Sequence, residues 1–242
     1  MTGTGPTTQI RRHIVSSPEL EGPPPAIVLF DWDGTLVDTG DILLSCWHAA
    51  TEQVLGYRFP VEEEDRRRVL AMRAVDSFPT ITDGPEQTAE LTAAFDATYE
   101  PLAPLNVRAH EGAERLLQSL RDHEIRVGVV TSKSAVRRSI DGRVTGLDPY
   151  LDIVITGDDV TLGKPAPEGI HRAITALGGS VETTLYVGDG PVDARAGQAA
   201  GVRTICLTQG LHTTEEFHDL TPHLLVTDLG DVARALGYGV GS

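Results

Sequence analysis

The chain has 242 residues, 40% of them hydrophobic, with a formal net charge of −15. That is long enough for one large domain or two small ones with a sizeable core. The charge argues against a nucleic-acid partner, which needs clustered Lys and Arg, and against affinity for an anionic membrane. No run approaches the roughly 18 apolar residues of a membrane span, and no apolar stretch follows Arg11-Arg12 to make a signal peptide. Cys46 and Cys206 stand alone, without metal-binding spacing, and read as buried free thiols in a reducing cytoplasm.

Residues 1–25 are rich in Gly, Thr, Ser and Pro and read as a disordered leader. An apolar run, 26–30, then leads into FDWDGTLVDT, from Phe30 to Thr39. The run reads as a buried parallel strand. Asp31 and Asp33 follow it, where open α/β sheets place their ligands. A turn starting at Asp31 lets both carboxylates look into one site. Two carboxylates there suit a hard cation such as Mg²⁺, or a nucleophile and acid pair.

Residues 40–104 show helical spacing and no strand pattern. A first helix carries Ile42, Leu43, Trp47, Ala50 and Val54 and ends at Gly56. A second runs over 62–72 and a third over 85–99. Glu62 to Arg68 reads as a solvated, ion-paired face, and His48 as a packed surface histidine. Thr39-Gly40 and the proline-containing stretch 101–107 read as hinges into and out of this insert.

Beyond 105 the pattern alternates. Helices are expected at 111–121, 134–140, 168–177 and up to about 200, and strands at 125–130, 153–156, 184–187 and 203–207, with a last βα unit over 224–236. Strands alternating with helices predict an α/β, doubly wound parallel-sheet (Rossmann-like) core, 26–39 and 105–242, with a small helical domain (40–104) inserted after the first strand. Only two of the 20 basic residues are lysines, Lys133 and Lys164. A chain that uses Arg almost everywhere keeps Lys where a compact ammonium is required. Lys133 itself reads as an exposed loop residue.

Four polar clusters follow apolar strands or the loops beside them: Asp31/Asp33, Thr131/Ser132, Lys164 and Asp189/Asp193. All can reach one sheet edge. Carboxylates, a hydroxyl and an ammonium converging there describe phosphoryl transfer. The carboxylates hold Mg²⁺, the cation and hydroxyl bind phosphate oxygens, and one carboxylate attacks phosphorus.

With these motifs in order, the sequence resembles the haloacid dehalogenase-like hydrolases, in their phosphatase branch. FDWDGTLVDT, VGVVTSK, GKPAPE and GDGPVD stand as the four motifs, and the resemblance spans about 26–236. The insert is similar to that family's small helical cap. The resemblance implies that Asp31 is the nucleophile and that Asp33 protonates the leaving oxygen, then activates water. It implies Mg²⁺ held by Asp31, the Asp33 backbone carbonyl and Asp189, with Asp193 as ligand or support. Thr131 then binds a phosphate oxygen, helped by backbone N–H groups near Trp32 and Ser132, and Lys164 neutralises nucleophile and phosphate. Gly190-Pro191 departs from the Ser or Thr usual after the Gly-Asp of the fourth motif, and Trp32 from the common Leu.

The substrate expected is a small phosphorylated metabolite, and the default state a monomer. Residues 66–73 resemble an insert segment of phosphoglycolate phosphatases, except that Ala71 stands for a Gly and Arg73 for a Pro. Arg73 is expected to face the site and bind a carboxylate or second phosphate. A dehalogenase would lack Asp33, and a phosphonate-cleaving relative would need a lysine in 39–104, which has none. A sugar-phosphate mutase of the β-phosphoglucomutase type and a non-catalytic phospholigand-binding protein remain as alternatives.

Overall fold

In the computed structural model, residues 20–209 and 212–238 are described. The leader expected over 1–25 therefore lies, up to residue 19, outside the described residues. Strand β1 (Ile27–Phe30) is buried at all four positions. Its alternation feeds two cores: Ile27 and Leu29 face one side of the sheet, and Val28 and Phe30 the other. A four-residue apolar run of this kind is stable only when both faces are covered.

Two two-residue strands, β2 (Val37–Asp38) and β3 (Arg108–Ala109), pair antiparallel at the root of the insert. The other strands are β4 (Arg126–Val130), β5 (Ile153–Ile155), β6 (Thr184–Gly188), β7 (Arg203–Leu207) and β8 (Leu224–Val226). The main sheet runs β5-β4-β1-β6-β7-β8, with every pair parallel. The chain goes from β1 to one side for β4 and β5, then crosses to the other side for β6 to β8. That reversal opens a crevice at the carboxyl ends of β1, β4 and β6.

Four helices form the insert: α1 (Gly40–Leu55), α2 (Glu63–Ala71), α3 (Ala74–Ser77) and α4 (Pro85–Asn106). Trp47, Phe78 and Phe95 meet edge-on or tilted there, with centroids 4.6–6.0 Å apart, the geometry that aromatic quadrupoles favour. This cluster is continuous with the sheet face that carries Val28 and Phe30. The remaining helices are α5 (Ala113–Asp122), α6 (Ala135–Thr145), α7 (Glu168–Ala176), α8 (Pro191–Ala200) and α9 (Leu229–Ala235). Leu116, Leu117 and Leu120 of α5, with Leu229 and Val232 of α9, cover one face, while Ile170, Ala173 and Ile174 of α7 with Ala196 and Ala200 of α8 cover the other.

Two expectations need correction. The stretch 101–107, read as a hinge, is helical almost to its end: α4 continues through Pro101 and Pro104 to Asn106. Each proline removes one helical N–H. The helix end holds because side chains satisfy its last carbonyls: Asn106 Nδ2 donates to Leu102 O at 2.8 Å, and the Arg108 guanidinium donates to Leu105 O at 2.7 Å and Val107 O at 2.6 Å. Helix α6 also outruns its expected end near 140, closing at Gly146 with φ 71°.

Candidate active site

Asp31 is the first residue beyond β1, and its N–H still donates to Val187 O, at 2.8 Å, as a rung of the sheet. The chain then turns. Leu36 and Val37 donate to Trp32 O, and Gly34 donates to Val37 O at 2.8 Å. Gly34 has φ 76°, and a Cβ there would collide with the Asp189 carboxylate, so both backbone and space require glycine. This turn breaks the strand alternation and separates the two carboxylates of Asp31-Trp32-Asp33 into two environments.

The first environment is built from β6, the loops after β1, β5 and β6, and the first turn of α8. Lys164 Nζ lies 2.8 Å from Asp31 Oδ1 and 2.7 Å from Asp193 Oδ1. Tyr186 donates its hydroxyl to the same Asp193 oxygen at 2.8 Å, and the Gly190 N–H donates to Asp193 Oδ2 at 3.1 Å. Thr35 Oγ1 donates to Asp189 Oδ1 at 3.0 Å. Carboxylate oxygens of Asp31, Asp189 and Asp193 lie within 4.8 Å of one another. Burial pushes Asp31 up to about 7, with Lys164 pulling it down and Asp193 pushing it up. Burial, then Asp193 and Asp31, raise Asp189 well above the usual carboxylate range. Burial works against the Lys164 ammonium, but Asp193 and Asp31 outweigh it and hold the lysine charged.

One ammonium does not balance three buried carboxylates. The excess of negative charge and the hard oxygen donors fit a divalent cation. Asp31 and Asp189 have oxygens to offer it. Asp193 already accepts from Lys164, Tyr186 and Gly190, so it mainly anchors the lysine. The Asp33 carboxylate is outside this cluster, which leaves its backbone carbonyl as the donor the resemblance implies.

The second environment surrounds Asp33. Its Oδ1 accepts from Thr39 Oγ1 and lies 2.6 Å from Lys133 Nζ. Lys133 is not the exposed loop residue expected: its side chain is 2% exposed. Thr131-Ser132-Lys133 curls back before α6, and the insert covers it. Lys133 Nζ also lies 2.6 Å from Asp141 Oδ2, on a carboxylate that is 0% exposed. Asp141 accepts from Trp32 Nε1 at 3.0 Å and from the Tyr99 hydroxyl of α4 at 2.6 Å. Arg138 stacks on the Trp32 ring at 3.7 Å.

Between these arrays lies a cleft of about 220 Å³. Asp31, Asp33, Thr131, Ser132 and Asp189 line it, together with Leu43 and Leu70 of the insert and His110, Gln209 and His212. Thr131 is buried and accepts the Lys133 N–H at 3.2 Å. Burial lowers His110 below the usual imidazole range, against Asp38. Gln209 Nε2 donates to Thr35 O at 2.9 Å and braces the turn after Asp33.

Arg73 does not line this cleft. Its guanidinium pairs with Asp76 at 2.6 and 2.9 Å and donates to the carbonyls of Gly157 (3.2 Å), Val160 (3.0 Å) and Thr161 (3.3 Å). A loop with three inward carbonyls and a neighbouring carboxylate takes up the planar donor fork. His48 Nε2 donates to Pro60 O at 2.8 Å, and Arg67 and Arg68 pair with Glu63 and Asp65 as expected of a solvated face. No motif in the sequence flags Asp141, Tyr186 or Gln209. Lys133 carried a signal, the scarcity of lysine.

Known proteins share this fold. The family described as Haloacid dehalogenase-like hydrolase matches residues 28–207. The pyrophosphatase PpaX of Halalkalibacterium halodurans is 27% identical over 210 residues, covering 87% of this chain and 96% of that protein. A haloacid dehalogenase-like hydrolase from Bacteroides fragilis superposes with a TM-score of 0.78 at 29% identity, covering 86% of this chain and 99% of that one. A phosphoglycolate phosphatase from Lactobacillus plantarum shares the fold, with a TM-score of 0.76 at 18% identity, covering 88% of this chain and 100% of its own. Among the described residues no helix is long and apolar enough to cross a membrane.

Proposed function

This chain belongs to the haloacid dehalogenase-like hydrolases, and from that premise we propose that it is a Mg²⁺-dependent phosphatase acting on a small phosphorylated metabolite of the phosphoglycolate type, in the cytoplasm. The observation that carries the reading is Lys164, 2.8 Å from Asp31 and beside the Asp31–Asp189–Asp193 cluster. An anionic carboxylate cannot approach an anionic phosphate without compensating charge. Lys164 supplies one positive charge.

The Asp31 carboxylate attacks phosphorus as the ester P–O bond breaks, and Asp33 gives its proton to the leaving oxygen. Asp33 then takes a proton from water, whose oxygen attacks phosphorus. The bond to Asp31 breaks, and phosphate leaves. Thr131 and the backbone N–H groups near Trp32 and Ser132 hold phosphate oxygens through both steps. Mg²⁺, held by Asp31, Asp189 and the Asp33 carbonyl, would neutralise phosphate charge when bound.

The cleft of about 220 Å³ suits a small substrate. A relative named for pyrophosphate makes that diphosphate a necessary member of any substrate panel. Phosphate release from a phosphometabolite panel, by the wild type and by Asp31→Asn, tests the reading. Release that survives the substitution at the wild-type rate would refute the covalent mechanism. Isomerisation of β-glucose 1-phosphate without release would replace phosphatase by mutase.

A further inference from the structure

Phosphoryl transfer to Asp31 gives the second lysine of the chain no task. Lys133 nevertheless occupies a costly position. Its ammonium is enclosed between Asp33 and Asp141, 2.6 Å from each, and 4.9 Å above the Tyr99 ring. Burying such a pair is weak evidence for stability, because hydrophobic side chains filling the same volume serve as well or better. The array has another property: it is directional. Both donors on Asp33, Thr39 Oγ1 and Lys133 Nζ, meet the same oxygen, Oδ1. Oδ2 is thereby left as the atom that gives and takes the proton.

The array is also braced from behind. Trp32 Nε1 holds Asp141 Oδ2 and the Tyr99 hydroxyl holds Asp141 Oδ1, so the carboxylate has a donor on each oxygen and cannot turn. Trp32 belongs to the turn after β1, whereas Tyr99 belongs to α4 of the insert. Thr39, the other donor, stands directly before α1. Two of the groups that set Asp33 therefore come from the insert and its entrance. We propose that Lys133, held by Asp141, is a positioning residue that orients the Asp33 carboxylate for proton transfer, and that Tyr99 and Thr39 make this orientation follow the seating of the insert on the sheet.

This rests on the reading of Asp33 as proton donor to the leaving group. The test exploits that role. A poor leaving group needs the proton, whereas p-nitrophenolate departs nearly without it. With substituted phenyl phosphates of near-constant shape, kcat/KM reports the steps through phosphorylation of Asp31. Lys133→Met should lose roughly 10-fold more with phenyl phosphate than with p-nitrophenyl phosphate, a part of the 10²- to 10⁴-fold that general acid catalysis supplies. Tyr99→Phe should steepen the same dependence by a smaller factor.

If Lys133→Met unfolds because Asp141 is stranded, Lys133→Met with Asp141→Asn removes that charge, and Tyr99→Phe changes only one hydroxyl. An equal loss across the series in folded Lys133→Met and Tyr99→Phe, with the wild-type slope kept, would overturn the proposal. Failure of the underlying reading looks different: Asp33→Asn would then also lose equally with phenyl and p-nitrophenyl phosphate.

Discussion

Asp31 and Asp33 are two residues apart and each meets one of the chain's two lysines, yet the two arrays differ in what builds them. Lys164 joins Asp31 to Asp193, and its members come from the end of β1, the loop before α7 and the first turn of α8, all outside the insert. Lys133 joins Asp33 to Asp141, and that array takes Tyr99 from the insert and Thr39 from its entrance. The same motif of an ammonium between two carboxylates is therefore built without the insert on the nucleophile side and with it on the acid–base side. A nucleophile needs a constant approach to phosphorus. A proton carrier that serves both a leaving group and a water gains from being set only when the insert is seated.

The largest effect expected is on Asp31→Asn, which should abolish turnover by roughly 10⁴-fold or more, as loss of a covalent nucleophile does elsewhere; steady-state phosphate release measures it. Lys164→Met should follow, with a loss of roughly 10²- to 10³-fold in kcat that is equal for good and poor leaving groups. A leaving-group-dependent loss there would erase the distinction between the arrays. Removing either lysine strands buried carboxylates, so denaturant melts should show about 3–5 kcal/mol of destabilisation for each.

The pH dependence of stability separates the nucleophile side further. Asp31 is raised to about 7 in the folded chain from 3.8. Between those values the folded state binds the extra proton, so Asp31 stabilises the fold below pH 4 and loses that contribution as pH rises to 7. With chelator present, the melting temperature of Asp31→Asn relative to wild type should therefore climb across that window. A flat difference would show Asp31 to be ordinarily acidic, and Mg²⁺ should narrow the gap by stabilising the wild type at pH 7. The smallest effect is expected at Arg73. Arg73→Ala leaves three loop carbonyls to water and should cost about 1–3 kcal/mol with KM changed less than roughly 3-fold. A KM raised 10-fold or more would return Arg73 to the substrate.

The Lys133 array shows why part of the site was hidden. Asp31, Asp33, Thr131 and Asp189 each follow an apolar run with turn residues behind, Lys164 stands in a loop beside one, and strand-to-loop placement is a local property of the chain. Asp141 sits in mid-helix, 109 residues from its partner Trp32, with nothing nearby to mark it. Lys133 stands three residues after a strand end, where polarity and a following helix suggest exposure. Arg73 departs from its expected place for the reverse reason. A cation in the insert suggests a substrate anion, but Asp76, three residues on, and the carbonyls after β5 compete for it at closer range.

Apolar periodicity and motif order alone determined the parallel α/β sheet and the helical insert after the first strand. These follow from which face of a strand or helix must leave water, and every such signal spans a few consecutive residues. Tertiary structure alone decided how the chain's charges pair. Lys133 became an interior residue because α4 and α6 close over it, and Arg73 a clamp because a core loop presents its carbonyls there. Pairing of buried charges depends on distance in a medium of low dielectric, and elements about a hundred residues apart set that distance.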